Sequence, residues 1–152
     1  MELILWRHAE AEIGEPDQGR ALTAKGHKQA TKMADWLDRS LPNTCKILSS
    51  PATRTVQTAE ALGRKFKIHP DLAPGCTAEQ LLAAANWPDS REPMLIIGHQ
   101  PTLGQVAALL IAGQMQEWSI RKGGVWWIAQ RERGDIRTNY LKAVMSPDLV
   151  AR

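Results

Sequence analysis

Cysteine is scarce in this chain of 152 residues, since Cys45 and Cys76 are the only two and they form no C-x-x-C pattern. A disulfide framework needs several paired cysteines, and the common structural zinc sites need closely spaced cysteine or histidine ligands. The sequence therefore supports neither arrangement, and we expect both thiols to be reduced.

Long hydrophobic runs are also lacking. No apolar stretch approaches the roughly 20 residues that are needed to cross a bilayer. The N-terminus does not have the basic start, apolar run and small-residue cleavage site of a secretory signal. We therefore expect a cytoplasmic protein with no membrane partner.

Charge of one sign is not concentrated anywhere along the sequence. The 19 basic and 16 acidic side chains give a net charge of +3, and the two signs are interspersed. Six tryptophans stand against one Phe and one Tyr, but four of the six (Trp6, Trp36, Trp126 and Trp127) lie in apolar segments. We interpret these four as core residues and not as a base-stacking surface. We therefore expect no nucleic acid partner.

The composition that remains is typical of one soluble domain. Apolar residues make up 43% of the chain and charged residues 23%, which are ordinary values for a globular protein. A chain of this length can bury a substantial core but is too short for a second large one. We predict a single domain over residues 1–152, with the last few residues frayed.

Apolar segments predict the strands. Runs with no polar interruption are typical of strands that are buried on both faces of a parallel sheet. Two later segments are joined by residues 131–135, which have the composition of a hairpin turn. The predicted strands are residues 3–6, 46–49, 68–69, 94–97, 124–129 and 139–144.

Four stretches show helical signals between these strands. Thr23 is a predicted N-cap, and Pro42 ends the helix that follows it. Ser50 and Pro51 predict the start of a second helix, with Ser50 as the N-cap. A third helix over residues 77–86 begins with a predicted capping box, and a fourth follows Pro101 and ends at Gly113. The predicted buried stripes are Ala30, Met33, Ala34, Leu37 and Leu41 in the first helix and Val56, Ala59, Leu62 and Phe66 in the second.

This alternation of strands and helices predicts an α/β fold. Helices that follow parallel strands cover both faces of the sheet. We expect a three-layer α/β/α sandwich with a mostly parallel central sheet that ends in a hairpin-like pair.

Four polar residues follow the predicted strands. Arg7 and His8 come directly after the first strand, Arg54 lies near the start of the second helix, and His99 comes after the strand at 94–97. Because the carboxyl ends of parallel strands meet at one edge of a sheet, we expect these side chains to converge. Arginine forks and a helix N-terminus favour an anion such as phosphate.

Taken one at a time, these residues have simpler explanations. Arg7 and His8 are also typical of the polar end of a strand. Arg54 is compatible with a solvated position or with an ion pair to Glu60 or Glu10. The functional interpretation depends on the residues occurring together.

Four motifs in this order resemble the histidine phosphatase superfamily, and within it the short SixA-like phosphohistidine phosphatases. They are Arg7-His8-Ala9 after a strand, Leu22-Thr23-Ala24-Lys25-Gly26, the run from Ser49-Ser50-Pro51 through Arg54 to Gln57-Thr58-Ala59, and Gly98-His99-Gln100-Pro101. The superfamily usually has glycine where this chain has Ala9, a difference of one methyl group. The resemblance covers nearly the whole chain and implies a phosphoglycerate-mutase-like fold.

The resemblance implies a role for each site residue. His8 would be the nucleophile that takes the phosphoryl group, while Arg7, Arg54 and His99 would hold its oxygens. Arg20, in the loop before Thr23, is either a further phosphate ligand or a solvated arginine. The nearby cations should lower the pKa of His8 and keep it neutral. No metal and no cofactor are expected, because these cationic and hydrogen-bonding groups can stabilise the transition state themselves.

A general acid is not evident from the sequence. Several carboxylates are candidates, but no motif selects one. An imidazole leaves more readily than an alkoxide, so weak acid machinery favours a phosphoramidate such as phosphohistidine. The chain also lacks a long insertion between Arg54 and His99, which predicts an open pocket that a protein side chain can enter. The candidate acids are Glu10, Glu12, Glu15, Asp17 and Glu79.

We therefore expect a phosphatase in signal transduction. Its predicted substrate is a phosphohistidine-bearing protein, either a histidine phosphotransfer domain or a phosphotransferase carrier, and phosphate is the predicted product. Two alternatives stay open: a phosphatase of small phosphate monoesters, and a non-catalytic module that binds phosphate or phosphoproteins. The presence of both His8 and His99 argues against the second, since binding alone needs no nucleophile.

Overall fold

A mixed sheet of six strands is the framework of residues 1–150, the part of the chain that the computed structural model describes. Its strand order is β3-β2-β4-β1-β5-β6. The pairs of β1 with β4, β2 with β4 and β2 with β3 are parallel, whereas β5 pairs antiparallel with β1 and β6. The predicted mostly parallel sheet with a terminal hairpin is confirmed. The strands are β1 (Glu2–Arg7), β2 (Lys46–Ser49), β3 (Lys67–Ile68), β4 (Met94–Gly98), β5 (Val125–Arg133) and β6 (Ile136–Met145).

Four α-helices and two short 3₁₀ turns connect the strands within residues 1–150. The Thr23 side chain accepts a hydrogen bond from the backbone N–H of Gly26 at 2.9 Å, which confirms the predicted N-cap. Thr77 forms the predicted capping box with Gln80, and Gly113 ends the last helix with a φ of +80°. The helices are α1 (Ala24–Ser40), α2 (Thr53–Glu60), α3 (Ala78–Ala84) and α4 (Thr102–Ala112), and the 3₁₀ turns are Asp17–Gly19 and Pro70–Leu72.

Two apolar cores pack against the two faces of the sheet. In β1, Ile4 and Trp6 point into the core that α1 and α2 cover, whereas Leu3 and Leu5 point into the core that α3 and α4 cover. Successive side chains of a strand alternate between faces, so an unbroken apolar run supplies both cores at once. The predicted three-layer sandwich follows from this arrangement.

The predicted start of α2 is wrong by two residues. The helix begins at Thr53, its N-cap is Ala52, and Ser50 lies outside it. The Ser50 hydroxyl instead accepts a hydrogen bond from the Ala52 N–H at 3.2 Å and contacts His99. The predicted stripe is confirmed only in part: Ala59 and Leu62 are buried and Phe66 packs against the same core, but the helix ends at Glu60. The other side chains that the helix buries are polar: Arg54, Thr55 and Thr58. A search for apolar periodicity cannot detect a helix face that buries polar side chains.

The terminal hairpin is longer than predicted. Strand β5 runs to Arg133 and β6 begins at Ile136, so that only two residues form the turn. These extensions are largely exposed and polar, and they are held by backbone pairing, which side-chain patterns do not reveal. The sequence analysis predicted that the last few residues are frayed. Of these, residues 151–152 lie outside the described part of the chain. Over residues 1–150, no helix has both the length and the apolar character needed to cross a membrane.

Close backbone contact explains the glycine in the Leu22–Gly26 motif. A Cβ atom at Gly26 would overlap the carbonyl oxygen of Glu10, in the loop that leaves His8. The same loop is fastened to α1 by hydrogen bonds from the Thr23 N–H to the Glu10 carbonyl and from the Glu10 N–H to the Gln29 side chain, each 3.0 Å long. Gly26 therefore allows α1 to brace the segment that carries His8.

We expect Gly26→Ala to destabilise the protein even though alanine favours helices. Helix propensity would add about 1 kcal/mol of stability, but relieving an overlap with a backbone carbonyl costs about 1–3 kcal/mol. Urea unfolding should therefore show a lower midpoint for the variant. Gly19→Ala is the control, because a Cβ there meets only the Pro16 ring at an ordinary 3.4 Å. A midpoint for Gly26→Ala at or above that of the parent would contradict the close-contact argument.

Candidate active site

A pocket of about 310 Å³ lies where β1, β2 and β4 end. All five site residues predicted from the sequence line it, although they come from four separate segments of the chain. The rings of His8 and His99 lie with their centroids 5.3 Å apart. The expected convergence at one edge of the sheet is therefore present. The lining residues are Arg7, His8, Ala11, Arg20, Arg54, Pro74, His99, Gln100 and Lys122.

Backbone hydrogen bonds fix the position of His8 at the end of β1. Its N–H donates to the carbonyl of Gly98 at 3.2 Å, and its carbonyl accepts from the N–H of Gly123 at 2.9 Å. The Trp6 indole also donates to the Gly123 carbonyl at 3.0 Å. His8 is thus held between the end of β4 and the loop that precedes β5.

The hydrogen bond of the His8 ring identifies its tautomer. Nδ1 lies 2.7 Å from the carbonyl oxygen of Ala9. A carbonyl oxygen can only accept, so Nδ1 must carry the proton and Nε2 must carry the lone pair in the neutral ring. Nε2 forms no hydrogen bond with residues 1–150. The ring therefore offers Nε2 as its basic nitrogen.

Ala9 fits without disturbing the pocket. Its N–H donates to the Thr58 hydroxyl at 3.1 Å, and its methyl group packs in a small cluster with Leu22 and Ala30. The methyl group that replaces the usual glycine hydrogen is therefore fully buried in this cluster and not in the pocket.

Both imidazoles have strongly lowered pKa values. The pKa of His8 is lowered from 6.5 to about 4: burial is the largest cause and the charges of the three pocket arginines contribute, while the hydrogen bond to the Ala9 carbonyl opposes them. Burial also lowers the pKa of His99 to about 3, with His8 and Arg54 as additional causes. The expected depression by nearby cations is present, but desolvation is the larger cause. Both rings are therefore neutral at pH 7.

Two arginines that line the pocket are anchored by hydrogen bonds at the ends of their side chains. Arg54 is 4% exposed, and its Nη1 and Nη2 donate to the carbonyl oxygen and to Oδ2 of Asp17 at 2.8 and 3.2 Å. Arg7 donates from Nη1 to the carbonyl of Ile120 at 2.8 Å. In both side chains Nε is buried and has no partner within residues 1–150. Each guanidinium therefore retains donor capacity for an anion.

Arg20 also lines the pocket, on a loop with different anchors. Its Nε donates to Asp17 Oδ1 at 3.1 Å, and its Nη1 donates to the Glu12 carbonyl at 3.0 Å. Asp17 thus bridges Arg20 and Arg54 and fixes the loop over the strand ends. Arg54 pairs with neither Glu60 nor Glu10, which were the partners considered from the sequence.

Ser50 is a site residue that the sequence analysis missed. Its hydroxyl oxygen lies 2.7 Å from His99 Nε2, while it also accepts from the Ala52 N–H. The hydroxyl can donate to Nε2 or accept from it, because its oxygen has a second lone pair. The other ring nitrogen of His99, Nδ1, is buried and has no partner in the described part of the chain. Gln100 and Lys122 were also missed as lining residues. The Ser50-Pro51 signal was present in the sequence but was assigned to helix capping.

None of the candidate general acids lines the pocket. Glu10 accepts a hydrogen bond from the Thr23 hydroxyl at 2.8 Å. Asp17 is bound by two arginines: desolvation is the largest single influence on its pKa and raises it, but the charges and hydrogen bonds of Arg54 and Arg20 together lower the pKa below its usual value. Glu12, Glu15 and Glu79 are exposed. Within residues 1–150, no group of three or more His, Cys, Asp or Glu side chains is arranged to hold a metal ion.

Comparisons with known proteins agree with this geometry. The family model of the histidine phosphatase superfamily (branch 1) matches residues 3–76. An uncharacterised protein of Picosynechococcus is 32% identical over 139 residues, which cover 82% of each chain. The phosphohistidine phosphatase SixA of Escherichia coli is 29% identical over 125 residues, covering 75% of this chain and 76% of SixA.

A solved structure extends the agreement to the whole fold. The protein histidine phosphatase SixA in complex with tungstate matches with a TM-score of 0.76 and 25% identity, over 97% of this chain and 98% of that one. The chain therefore belongs to the histidine phosphatase superfamily. Within that superfamily it is similar to the SixA phosphohistidine phosphatases.

We expect the rings of His8 and His99 to titrate near pH 4 and pH 3 in the folded protein. The unfolded chain, with imidazole pKa values near 6.5, then binds more protons than the folded chain, so stability should fall as the pH drops from about 6.5 towards 4. NMR of the ring carbons and urea unfolding at several pH values measure the two effects. The double variant His8→Asn/His99→Asn should lose this part of the pH dependence. Titration of the His8 and His99 rings near pH 6.5 in the folded protein would contradict this prediction.

Proposed function

We propose that this protein hydrolyses phosphohistidine on a partner protein through a phospho-His8 intermediate. The observation that carries the proposal is the His8 ring, which is neutral, holds its proton on Nδ1 and offers Nε2 beside three arginines. A nucleophile of this kind splits one difficult transfer into two easier steps.

The first step transfers the phosphoryl group to His8. The Nε2 lone pair forms a bond to phosphorus while the phosphorus–nitrogen bond of the substrate breaks, and the departing imidazole takes up a proton. In the second step water attacks phosphorus, the bond to Nε2 breaks and phosphate leaves. The hydrogen bond from Nδ1 to the Ala9 carbonyl stabilises the ring while it carries positive charge.

The surrounding donors stabilise the phosphoryl group during both steps. Arg7 and Arg54 each have a buried Nε without a partner among residues 1–150. The Nδ1 atom of His99 is also buried and without a partner among these residues. Fixed donors of this kind can stabilise the charge on the equatorial oxygens of an in-line phosphoryl transfer without a metal ion. We assign Arg20, on the pocket wall, as a further phosphate ligand.

The leaving group that this site suits best is an imidazole. An alkoxide leaving group needs a positioned acid, and none of the five candidate carboxylates lines the pocket. An imidazole can take its proton from solvent. One relative within the superfamily, SixA of Escherichia coli, carries the name phosphohistidine phosphatase. We propose a histidine phosphotransfer domain or a phosphotransferase carrier as the partner.

We expect His8→Ala to lower turnover by about 10⁴-fold or more, as loss of a nucleophile does in other covalent enzymes. Vanadate should still bind, more weakly, because the arginines remain. Phosphate release from a phosphohistidine protein and vanadate titration measure the two properties. His27→Ala, at an exposed histidine of α1, is the control and should behave like the parent. Sustained multiple turnover by His8→Ala would rule out the covalent mechanism.

The carboxylates test the class of substrate. We expect each amide substitution, at Glu10, Glu12, Glu15, Asp17 or Glu79, to lower the rate on phosphohistidine by less than about tenfold, whereas loss of a positioned general acid costs about 10²- to 10⁴-fold. Hydrolysis of an alkyl phosphate ester should be slow in the parent. Steady-state rates on both substrates provide the comparison. If the parent hydrolyses esters rapidly and one substitution reduces that rate a thousandfold, the small-ester phosphatase becomes the better assignment.

A further inference from the structure

A positively charged groove continues from the active-site pocket across the surface of α1. A depression of about 470 Å³ shares Arg7 and Lys122 with the pocket. A second depression, of about 500 Å³, shares Lys25 with the depression of about 470 Å³. The depressions therefore form one continuous path that leads away from His8. We call its cationic residues the lysine track: Lys25, Lys28, Lys32, Arg121 and Lys122.

The charge of this track is largely uncompensated. Arg121 pairs with Asp148 at 3.3 Å, while the four lysines form no ion pair with any described residue. Asp148 is the single carboxylate among the lining residues that the structure describes there. It is already held by the Ser146 hydroxyl at 2.7 Å, and this hydrogen bond is the largest cause of its lowered pKa. In a chain whose net charge is only +3, the track is a local excess of positive charge.

Helix stability does not account for the track. Lys25, Lys28 and Lys32 are spaced by three and four residues, so that they share one face of α1, opposite the buried stripe. Like charges at these spacings repel and destabilise a helix. Contact with solvent does not require lysine alone, since a solvated helix face can carry both acidic and basic side chains. What distinguishes this face is its continuity with the phosphate-holding arginines.

We propose that the lysine track docks an acidic surface of the phosphohistidine-bearing protein and guides its phosphohistidine to His8. This inference rests on the proposed function. Clefts lined by one sign of charge raise association rates with partners of the opposite sign by about 10- to 10³-fold, and the gain falls as ionic strength rises. A free small phosphoramidate needs only the pocket, whereas a folded substrate must also meet the surface beside it.

The lining of the track favours an acidic protein over a nucleic acid strand. Single-stranded nucleic acids are usually held by aromatic side chains on which bases stack. No aromatic residue occurs among the described residues that line the two depressions. The carboxylates of an acidic protein can be bound by separate lysine ammonium groups, and the track supplies such groups.

The test compares two charge-reversal variants of the whole chain. Lys25→Glu/Lys28→Glu/Lys32→Glu reverses the part of the track outside the pocket. Lys46→Glu/Lys65→Glu/Lys67→Glu is the matched control, because these lysines line a separate groove beside β2 and β3 and change the net charge equally. The substrates are a phosphorylated histidine phosphotransfer domain with acidic residues around its phosphohistidine, and free phosphoramidate.

We expect the track variant to lower kcat/KM on the phosphorylated domain by about tenfold or more at low ionic strength, through KM and with kcat unchanged. Its rate on phosphoramidate should equal that of the parent. Its kcat/KM on the domain should depend less on salt concentration than that of the parent. The control variant should match the parent on both substrates. A Lys→Gln version of the track variant, with a smaller loss, gives the same comparison if charge reversal impairs folding.

Three results would overturn the inference. Equal loss of activity on the domain by the track and control variants would indicate a general charge effect. A parallel loss on phosphoramidate would assign the track to the pocket itself, and tighter, more salt-sensitive binding of a single-stranded oligonucleotide than of the acidic domain would assign it to nucleic acid. A parent that dephosphorylates neither substrate would instead overturn the proposed function, and the docking inference with it.

Discussion

The burial of positive charge at one edge of the sheet is the constraint on which the site depends. Arg54 is almost completely buried, and the carboxylate that compensates it, Asp17, belongs to an exposed loop. Desolvating a guanidinium is costly unless its donors are satisfied. The Asp17 contacts offset part of this cost, but the Nε atoms of Arg7 and Arg54 stay buried without a partner among residues 1–150. An anion bound in the pocket would offset the remaining positive charge, which is consistent with the proposed phosphate site.

The same burial sets the chemistry of the two histidines. A cationic imidazole among arginines would add a further charge to a poorly hydrated region, so both rings stay neutral. Once neutral, the His8 ring has one proton, and the Ala9 carbonyl places it on Nδ1. Nε2 of His99 contacts the Ser50 hydroxyl. Desolvation and one local hydrogen bond thus determine the charge and the tautomer of His8.

The sequence predicted the elements that depend on apolar pattern and on local capping. The run from Leu3 to Trp6 was recognisable as a buried strand, and Thr23 was recognisable as an N-cap, because each signal is contained in a few adjacent residues. The convergence of Arg7, His8, Arg54 and His99 also followed, since parallel strands place their carboxyl ends together. Topology was enough to locate these residues at one edge.

The remaining features depend on contacts between distant segments. Ser50 was assigned to the helix that follows it, but its partner is His99, 49 residues away in sequence. Asp17 was considered as an acid, but its position between Arg20 and Arg54 makes it an anchor. The extent of the β5–β6 hairpin was underestimated because polar, exposed residues continue the backbone ladder. Such contacts are set by three-dimensional packing and leave no periodic signal.

The position of β1 in the sheet has a consequence for synthesis of the chain. This strand is made before its sheet neighbours β4 and β5, since Leu3 pairs with Met94 and Ile128. Long-range pairing of this kind delays folding and leaves apolar segments exposed in the meantime. On the ribosome, the segment that ends in His8 must remain without its sheet partners until the residues of β4, Met94–Gly98, have emerged. This apolar strand therefore needs protection from aggregation while about 90 further residues are synthesised.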